Sequence, residues 1–368
     1  MSVRLRSLTL KGFKTIRELV AFEPRPLNVL IGANGAGKSN FISFFRLLSW
    51  MMSEQLQEHV AEAGGARALL HEGPEVTREI EAELSIETES GVNDYAFRLF
   101  YAAADTLVFA DEKYRFTREG AAAPWPWSML EAGHKEPRLV SEGTKDKTAG
   151  VVLGLLRKCI VHQFHNTSAT ARIRGKWSVE DNRWLKEDAA NLAPVLMRLR
   201  DQFPDYYRRI IEVLRMVLPF FAEFEFHPEY GKALLQWREK GSDVVFDVSQ
   251  ASDGMLRTMA LVALLGQPER DLPAVLVLDE PELGLHPYAI EVVGGMLHSA
   301  SAHCQVFVAT QSAPLVDAFV PEDVVVVERE GRESRFRRLK EGPLHEWLEE
   351  YSLGELWQKN VLGGRPTR

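Results

Sequence analysis

The chain has 368 residues, 45% of them hydrophobic and 26% charged, the balance of a globular protein with room for one large or two ordinary domains. A formal net charge of −8 speaks against a wholly basic protein that coats nucleic acid, though not against a local basic groove. The two cysteines, Cys159 and Cys304, give no disulfide framework and fit a reducing cytoplasm, and no run of about 18 apolar residues is present to span a bilayer.

The opening MSVRLRSLTLKGF alternates like a strand over 3–10 and lacks the continuous apolar core of a signal peptide. Residues 27–31, LNVLI, read as a second strand. They run straight into GANGAGKSN, 32–40, and a helix is expected over 38–53. The spacing Gly32-x-x-x-x-Gly37-Lys38-Ser39 is a phosphate-binding loop in its required context, with a strand before it and a helix after. Gly32, Gly35 and Gly37 let the backbone wind so that N–H groups of Gly32, Ala33, Asn34, Gly35, Ala36, Gly37, Lys38, Ser39 and Asn40 surround phosphate oxygens. The helix start adds its positive dipole end, Lys38 a charge for the β/γ-phosphates, and Ser39 a hydroxyl for Mg²⁺.

Residues 58–74 read as a polar connector. From about 79 the period changes to two, and REIEAELSIET, DYAFRLFYAA and DTLVFADEKYRFTRE predict an antiparallel sheet. The stretch 119–150 reads mostly as loop, and 151–165 as a helix ending in a strand at CIVHQFH. Two helices, broken at Pro204, are expected over 191–219, then strands in FEFHPEY and KALLQWREK. The pattern is too short for a coiled coil, and there is no internal repeat. DGMLRTMALVALLG predicts a helix, AVLVLDEP a buried parallel strand, PYAIEVVGGMLHSASAH a helix and QVFVATQS another buried strand. The last hairpin turns at Glu330-Gly331. The expected division is therefore a nucleotide-binding core split into 1–57 and 246–345. Between them lies an inserted lobe, 58–245, of sheet and helix, and a C-terminal helix and tail follow at 346–368.

Four apolar residues, Val275–Leu278, end in Asp279 and Glu280. Asp279 is expected to hold Mg²⁺ through water, and Glu280 to take a proton from the attacking water, as residues that alternate across a strand end. Gln311, at the end of the next strand, can hydrogen-bond phosphate or that water. Ser252-Asp253-Gly254 opens an apolar helix. Ser252 is an N-cap by default, but with Gly254 it also makes a second anion site, usable if another copy of the chain presents it to the first copy's γ-phosphate.

Gly32–Ser39, Ser252-Asp253-Gly254, Leu278–Pro281, Leu285-His286-Pro287 and Thr310-Gln311-Ser312 together resemble the RecF/SMC/Rad50-like branch of ABC-class ATPases. More narrowly they resemble its short stand-alone bacterial members, the AAA_21-type group. LRSLTLKGFKTI and WLEEYSLGELWQKNVLGGRP are similar to the two ends of such proteins, and FHNTS and NLAPVLMRLR to their middle. The resemblance implies an α/β fold, a P-loop NTPase of ABC-ATPase head type, with an inserted antiparallel β-sheet and helical subdomain. It implies ATP and Mg²⁺, a homodimer in the ATP state, Ser252 and Gly254 as a signature acting in trans, and Leu283–His286 as the D-loop. A glutamine is expected where the insertion leaves the core, and Gln163 is the candidate, on the metal side. Two departures stand out: Gln311 replaces the usual switch histidine, and the signature reads S-D-G rather than S-G-G.

DNA or a partner effector protein, in DNA repair or anti-phage defence, enters by family analogy only. A weakly hydrolysing nucleotide-sensing scaffold is the second reading, and a small-molecule P-loop kinase the third. The basic stretches 171–177 (Arg172, Arg174, Lys176, Trp177) and 332–340 each admit a nucleic-acid reading beside that of a solvated loop or charged edge strand. His162 and His165, on one strand, would face apart rather than chelate.

Overall fold

A computed structural model describes residues 3–121 and 123–364. β1 (Arg4–Phe13) and β2 (Ile16–Phe22) form a hairpin, and β3 (Leu27–Ile31), buried along its whole length, is apolar except for Asn28. α1 (Lys38–Met52) turns Phe41, Phe44, Phe45, Leu48 and Met51 inward at helical spacing. α2 (Leu56–Glu62) leads to β4 (Glu79–Thr88), β5 (Gly91–Ala102), β6 (Thr106–Arg118) and β7 (Ser128–Leu130). Then come α3 (Leu139–Glu142), α4 (Lys147–Leu156), β8 (Cys159–His162) and β9 (Trp177–Ser178). α5 (Leu192–Gln202) and α6 (Pro204–Val217) break at Pro204, which takes the first position of the second helix. β10 (Phe221–Glu225), β11 (Lys232–Ala233), β12 (Gln236–Glu239) and β13 (Val245–Asp247) are short. α7 (Asp253–Leu265), β14 (Val275–Asp279), α8 (Pro287–Ser301), β15 (Gln305–Ala309) and α9 (Ala313–Val316) follow. The described chain closes with β16 (Val324–Glu330), β17 (Glu333–Arg338), α10 (His345–Leu348) and α11 (Leu353–Gln358).

The core sheet has the order β17-β16-β3-β15-β14-β8, parallel except for the edge strand β17. Alternation along its strands feeds two separate cores. Leu276, Leu278, Val306 and Val308 pack with α5–α8, while Val275, Val277, Phe307 and Ala309 pack with α1, α4 and the antiparallel sheet. That second sheet runs β2-β1-β4-β5-β6-β7.

Three local features refine the sequence reading. The strand at 3–10 pairs with β2 and β4 and not in the parallel sheet, and the buried Gln305 amide ties it to the core, accepting from Leu5 N at 2.8 Å and donating to Leu5 O at 3.0 Å. Conversely β8 lies between residues 58 and 245, yet pairs in parallel with β14. The stretch 119–150 is mostly loop, as expected, with short elements in it. It holds β7, α3 and the start of α4, capped by Asp146, whose carboxylate accepts from Ala149 N at 2.8 Å. Its glycines, prolines and charges hid the few buried anchors, Leu139 and Ala149. Residues 1–2 and 365–368 of the expected terminal pieces lie outside the described residues.

Candidate functional site

The loop 32–37 is braced from the far edge of the sheet. The Ser334 hydroxyl of β17 donates to Ala36 O at 2.6 Å and lies 2.7 Å from Thr15 Oγ, whose proton it can accept, and Arg329 of β16 donates to Gly35 O at 3.2 Å. This packing explains two glycines. A Cβ on Gly37, at φ 117°, would lie 2.0 Å from Ser334 Oγ, and one on Gly32, at φ 152°, would lie 2.1 Å from Val327 O. Lys38 is buried, its Nζ donating to Gly32 O at 2.6 Å and Ala33 O at 3.2 Å. Burial pulls its pKa down against the opposing pull of Glu280, Asp279 and Glu282. Asn34, Gly35 and Ser39 are exposed, and the Asn40 amide is turned to Thr15 Oγ at 2.7 Å.

Opposite the loop, β14 ends in Asp279, level with Ala309 of β15. Among the described residues no hydrogen bond reaches the Asp279 carboxylate, and its Oδ1 is buried without a partner. Burial raises its pKa, with His165, Arg46 and Lys38 pulling the other way. Glu280 does not continue the strand. It sits at φ 43° with its N–H on Ala309 O at 2.8 Å, so a left-handed kink, rather than strand alternation, separates the two carboxylates. The Gln311 amide donates to Glu280 Oε1. Glu282, unremarked in the sequence, is buried as well. It accepts from Thr310 Oγ at 2.5 Å and Gln311 N at 3.2 Å, its Oε2 is unpartnered, and burial raises its pKa. One acid in an E-P-E turn looks like any solvated turn acid, so only the Thr310 contact reveals it.

Gln163 follows β8 directly, beside the end of β14. Arg46 of α1 donates to its Oε1, and its Nε2 lies 2.9 Å from His165 Nδ1. His165 Nε2 lies 2.9 Å from Asp279 O. His165 therefore does not share a strand with the buried His162. Arg257 of α7 donates to Phe164 O, His165 O and Leu283 O. Ser252 caps α7, accepting from Met255 N at 3.3 Å, and a Cβ on Gly254 would lie 2.6 Å from Gly284 O. Lys38, Asp279, Glu280 and Gln311 are thus one cluster. Among the described residues no hydrogen bond joins Ser252 or Gly254 to 32–39.

The donor set Ser39, Asp279 and Gln163 is all oxygen, with one carboxylate oxygen unpartnered, which fits a hard cation such as Mg²⁺. Among the described residues no trio of His, Cys, Asp or Glu could hold a metal alone, so phosphate oxygens would complete the shell. The basic loop 171–177 is spent within the chain. Arg174 holds Thr167 O, Ala251 O and Asp253, Arg172 pairs with Asp188 over the Trp177 ring, and Lys176 pairs with Glu229. β17 is an edge strand whose Arg337 and Arg338 bond Leu362 O and Asn28 Oδ1, which favours the charged-edge reading of 332–340.

The model of a family described as "AAA domain, putative AbiEii toxin, Type IV TA system" matches residues 27–318. Among solved structures, the SMC head bound to the C-terminal winged-helix domain of ScpA superposes with a TM-score of 0.62 at 13% identity, over 93% of this chain and 99% of that one. The Smc head with an extended coiled coil bound to the C-terminal domain of ScpA, from Pyrococcus furiosus, gives 0.60 at 13% identity, over 95% and 99%. At that identity they show the fold alone: an α/β P-loop NTPase head. A curated relative, Urease accessory protein 2 of Cryptococcus neoformans var. grubii, is 36% identical over 131 residues, which are 35% of this chain and only 10% of that protein.

Proposed function

The chain belongs to this AAA domain family and has the fold of an SMC-type ATPase head, and from that premise we propose that it binds ATP with Mg²⁺, hydrolyses it, and dimerises around it as a conformational switch. The observation that carries the reading is the convergence of Lys38, Asp279, Glu280 and Gln311 at the carboxyl ends of three neighbouring parallel strands, with a buried, unpartnered Asp279 oxygen among them. Lys38 exchanges Gly32 O and Ala33 O for phosphate oxygens. Ser39, Asp279 and Gln163 hold Mg²⁺, which when bound neutralises charge developing on the phosphates. Glu280 accepts the proton of the attacking water, which Gln311 helps orient. Ser252 and Gly254 contact nucleotide only across a second copy of the chain. ATP binding energy is then stored in a change of assembly, which a partner can read.

The object of that cycle is a partner effector or DNA, in defence or repair. The family's toxin–antitoxin description and the ScpA-bound heads support a protein partner, and the internally paired charges of 171–177 weigh against DNA at that loop. Among the described residues no helix is long and apolar enough to cross a membrane. The second reading is a weakly hydrolysing scaffold that holds an effector. It is favoured by the Gln311 amide already bound to Glu280, which takes up one of the two carboxylate oxygens.

Light-scattering mass of the Glu280→Gln variant, with and without ATP and Mg²⁺, tests the switch beside wild-type turnover. A doubling of mass that Ser252→Arg abolishes supports it. A mass that never changes sinks the nucleotide-bridged dimer, and a dimer without turnover selects the scaffold.

A further inference from the structure

Arg46, Gln163, His165 and the main chain of Asp279 form a continuous line of hydrogen bonds. Both ends of the line are one-way groups. The guanidinium can only donate, and the peptide carbonyl of Asp279 can only accept. Every proton between them is therefore fixed. His165 must carry its proton on Nε2 to donate to Asp279 O, which leaves Nδ1 as an acceptor. Gln163 must then turn its –NH2 to Nδ1, at 2.9 Å, and its Oε1 away from it. The amide oxygen is thus offered to a cation, and in this structure that cation is the Arg46 guanidinium. The remaining main-chain carbonyls of this loop are held too, since Arg257 takes Phe164 O and His165 O, so the His165 ring is fixed from behind.

We propose that His165 is a positioning residue for the metal side of the site: it sets the Gln163 amide oxygen outward and locks that setting to the strand end that carries Asp279. The proposal rests on the reading of Asp279 and Gln163 as Mg²⁺ groups. Without the ring, only Arg46 opposes a flip that presents –NH2, a group that repels a cation. Loop 163–165 also loses its only side-chain tie to Asp279 among the described residues. The effect falls on cation affinity and not on the phosphate loop, because none of these four groups hydrogen-bonds 32–39.

The test uses the full chain with a non-hydrolysable ATP analogue. Mn²⁺ affinity is read by electron paramagnetic resonance, and fluorescent-ATP affinity is read in EDTA. His165→Phe is expected to weaken Mn²⁺ binding about 10- to 100-fold, the usual loss when a group behind a metal ligand is removed. Its nucleotide affinity in EDTA should match wild type. His165→Gln, whose amide can both donate to Asp279 O and accept from Gln163, should restore most of the Mn²⁺ affinity. Wild-type Mn²⁺ binding by His165→Phe overturns the proposal. So does a loss of EDTA-resistant nucleotide binding in that variant, because the role is then only structural. Asp279→Ala serves as the control: if it too binds Mn²⁺ like wild type, the reading of the metal side itself has failed, and the proposal with it.

Discussion

Asp279→Asn should make the nucleotide-free protein more stable while destroying its response to Mg²⁺. Among the described residues the wild-type carboxylate receives no hydrogen bond, its Oδ1 is buried and unpartnered, and Glu280 is a second negative charge beside it. Leaving a buried polar group unsatisfied costs about 1–3 kcal/mol, and an amide of the same shape removes the charged part of that cost, about 1–2 kcal/mol. At about 2.1 cal/mol/K of unfolding entropy per residue, a chain of 368 residues melts roughly 1–3 °C higher for that gain. The sign with pH follows from the direction of the shift. Burial raises the folded pKa of Asp279 above the ordinary carboxylate value, so the folded state holds the proton longer than the unfolded one. The penalty is full above the raised pKa and fades as pH falls toward 3.8, and the advantage of the variant fades with it. Scanning calorimetry in EDTA at pH 8 and at lower pH reads both. With ATP and Mg²⁺ the order reverses, since saturating ligand at about 100 times its Kd adds about 2.7 kcal/mol to wild type. An Asn variant that melts at or below wild type in EDTA at pH 8 would refute the reasoning, because the carboxylate would then be no burden to the fold.

Gly254→Ala puts a methyl 2.6 Å from the carbonyl of Gly284, backbone against backbone, and should cost about 1–3 kcal/mol in chemical denaturation. Its ATP affinity as a monomer should be unaltered. Gln311→Ala should lower turnover about 100-fold if the amide orients water as a preorganised donor would. A rise in turnover would instead mark the Gln311–Glu280 bond as a brake. Tyr95→Phe removes one donor from the fully buried Glu112, which keeps the N–H groups of Arg138 and Leu139, and should cost about 1–3 kcal/mol by urea titration without changing nucleotide affinity.

The parts of the site readable in the sequence are those whose chemistry is local. A loop that wraps phosphate needs its glycines, lysine and serine in consecutive positions, and β14 and β15 announce themselves as unbroken apolar runs. What stayed hidden acts across the chain. Arg46 meets Gln163 over a separation of 117 residues, and His165 meets Asp279 over 114, so neither pair leaves a short-range pattern. The pairing of β8 with β14 was hidden for the same reason, since four residues of CIVH carry a strand signal but no address. Glu280 follows Asp279 in sequence, but its left-handed backbone, beside the turn that packs Glu282 under Thr310, has no signal in the residues themselves. The stretch 119–150 is mostly loop, as its turn-forming residues suggest, and the buried Leu139 and Ala149 mark the short helices it also holds.

The sheet order has a consequence for how the protein comes off a ribosome. β3 carries the phosphate loop, and among the described residues its strand neighbours are β15 and β16. The Asn28–Val306 bond spans 278 residues, and the Gln305–Leu5 bonds span 300. The loop's supporting strand is thus translated well before the strands it pairs with. Bringing such distant segments together carries a loop-closure cost that no local contact offsets early, and until then the apolar residues of β3 lack their sheet partners. A chain arrested after residue 300 would carry the whole glycine–lysine signature without β15, β16 and β17, the strands that flank β3 and brace the loop.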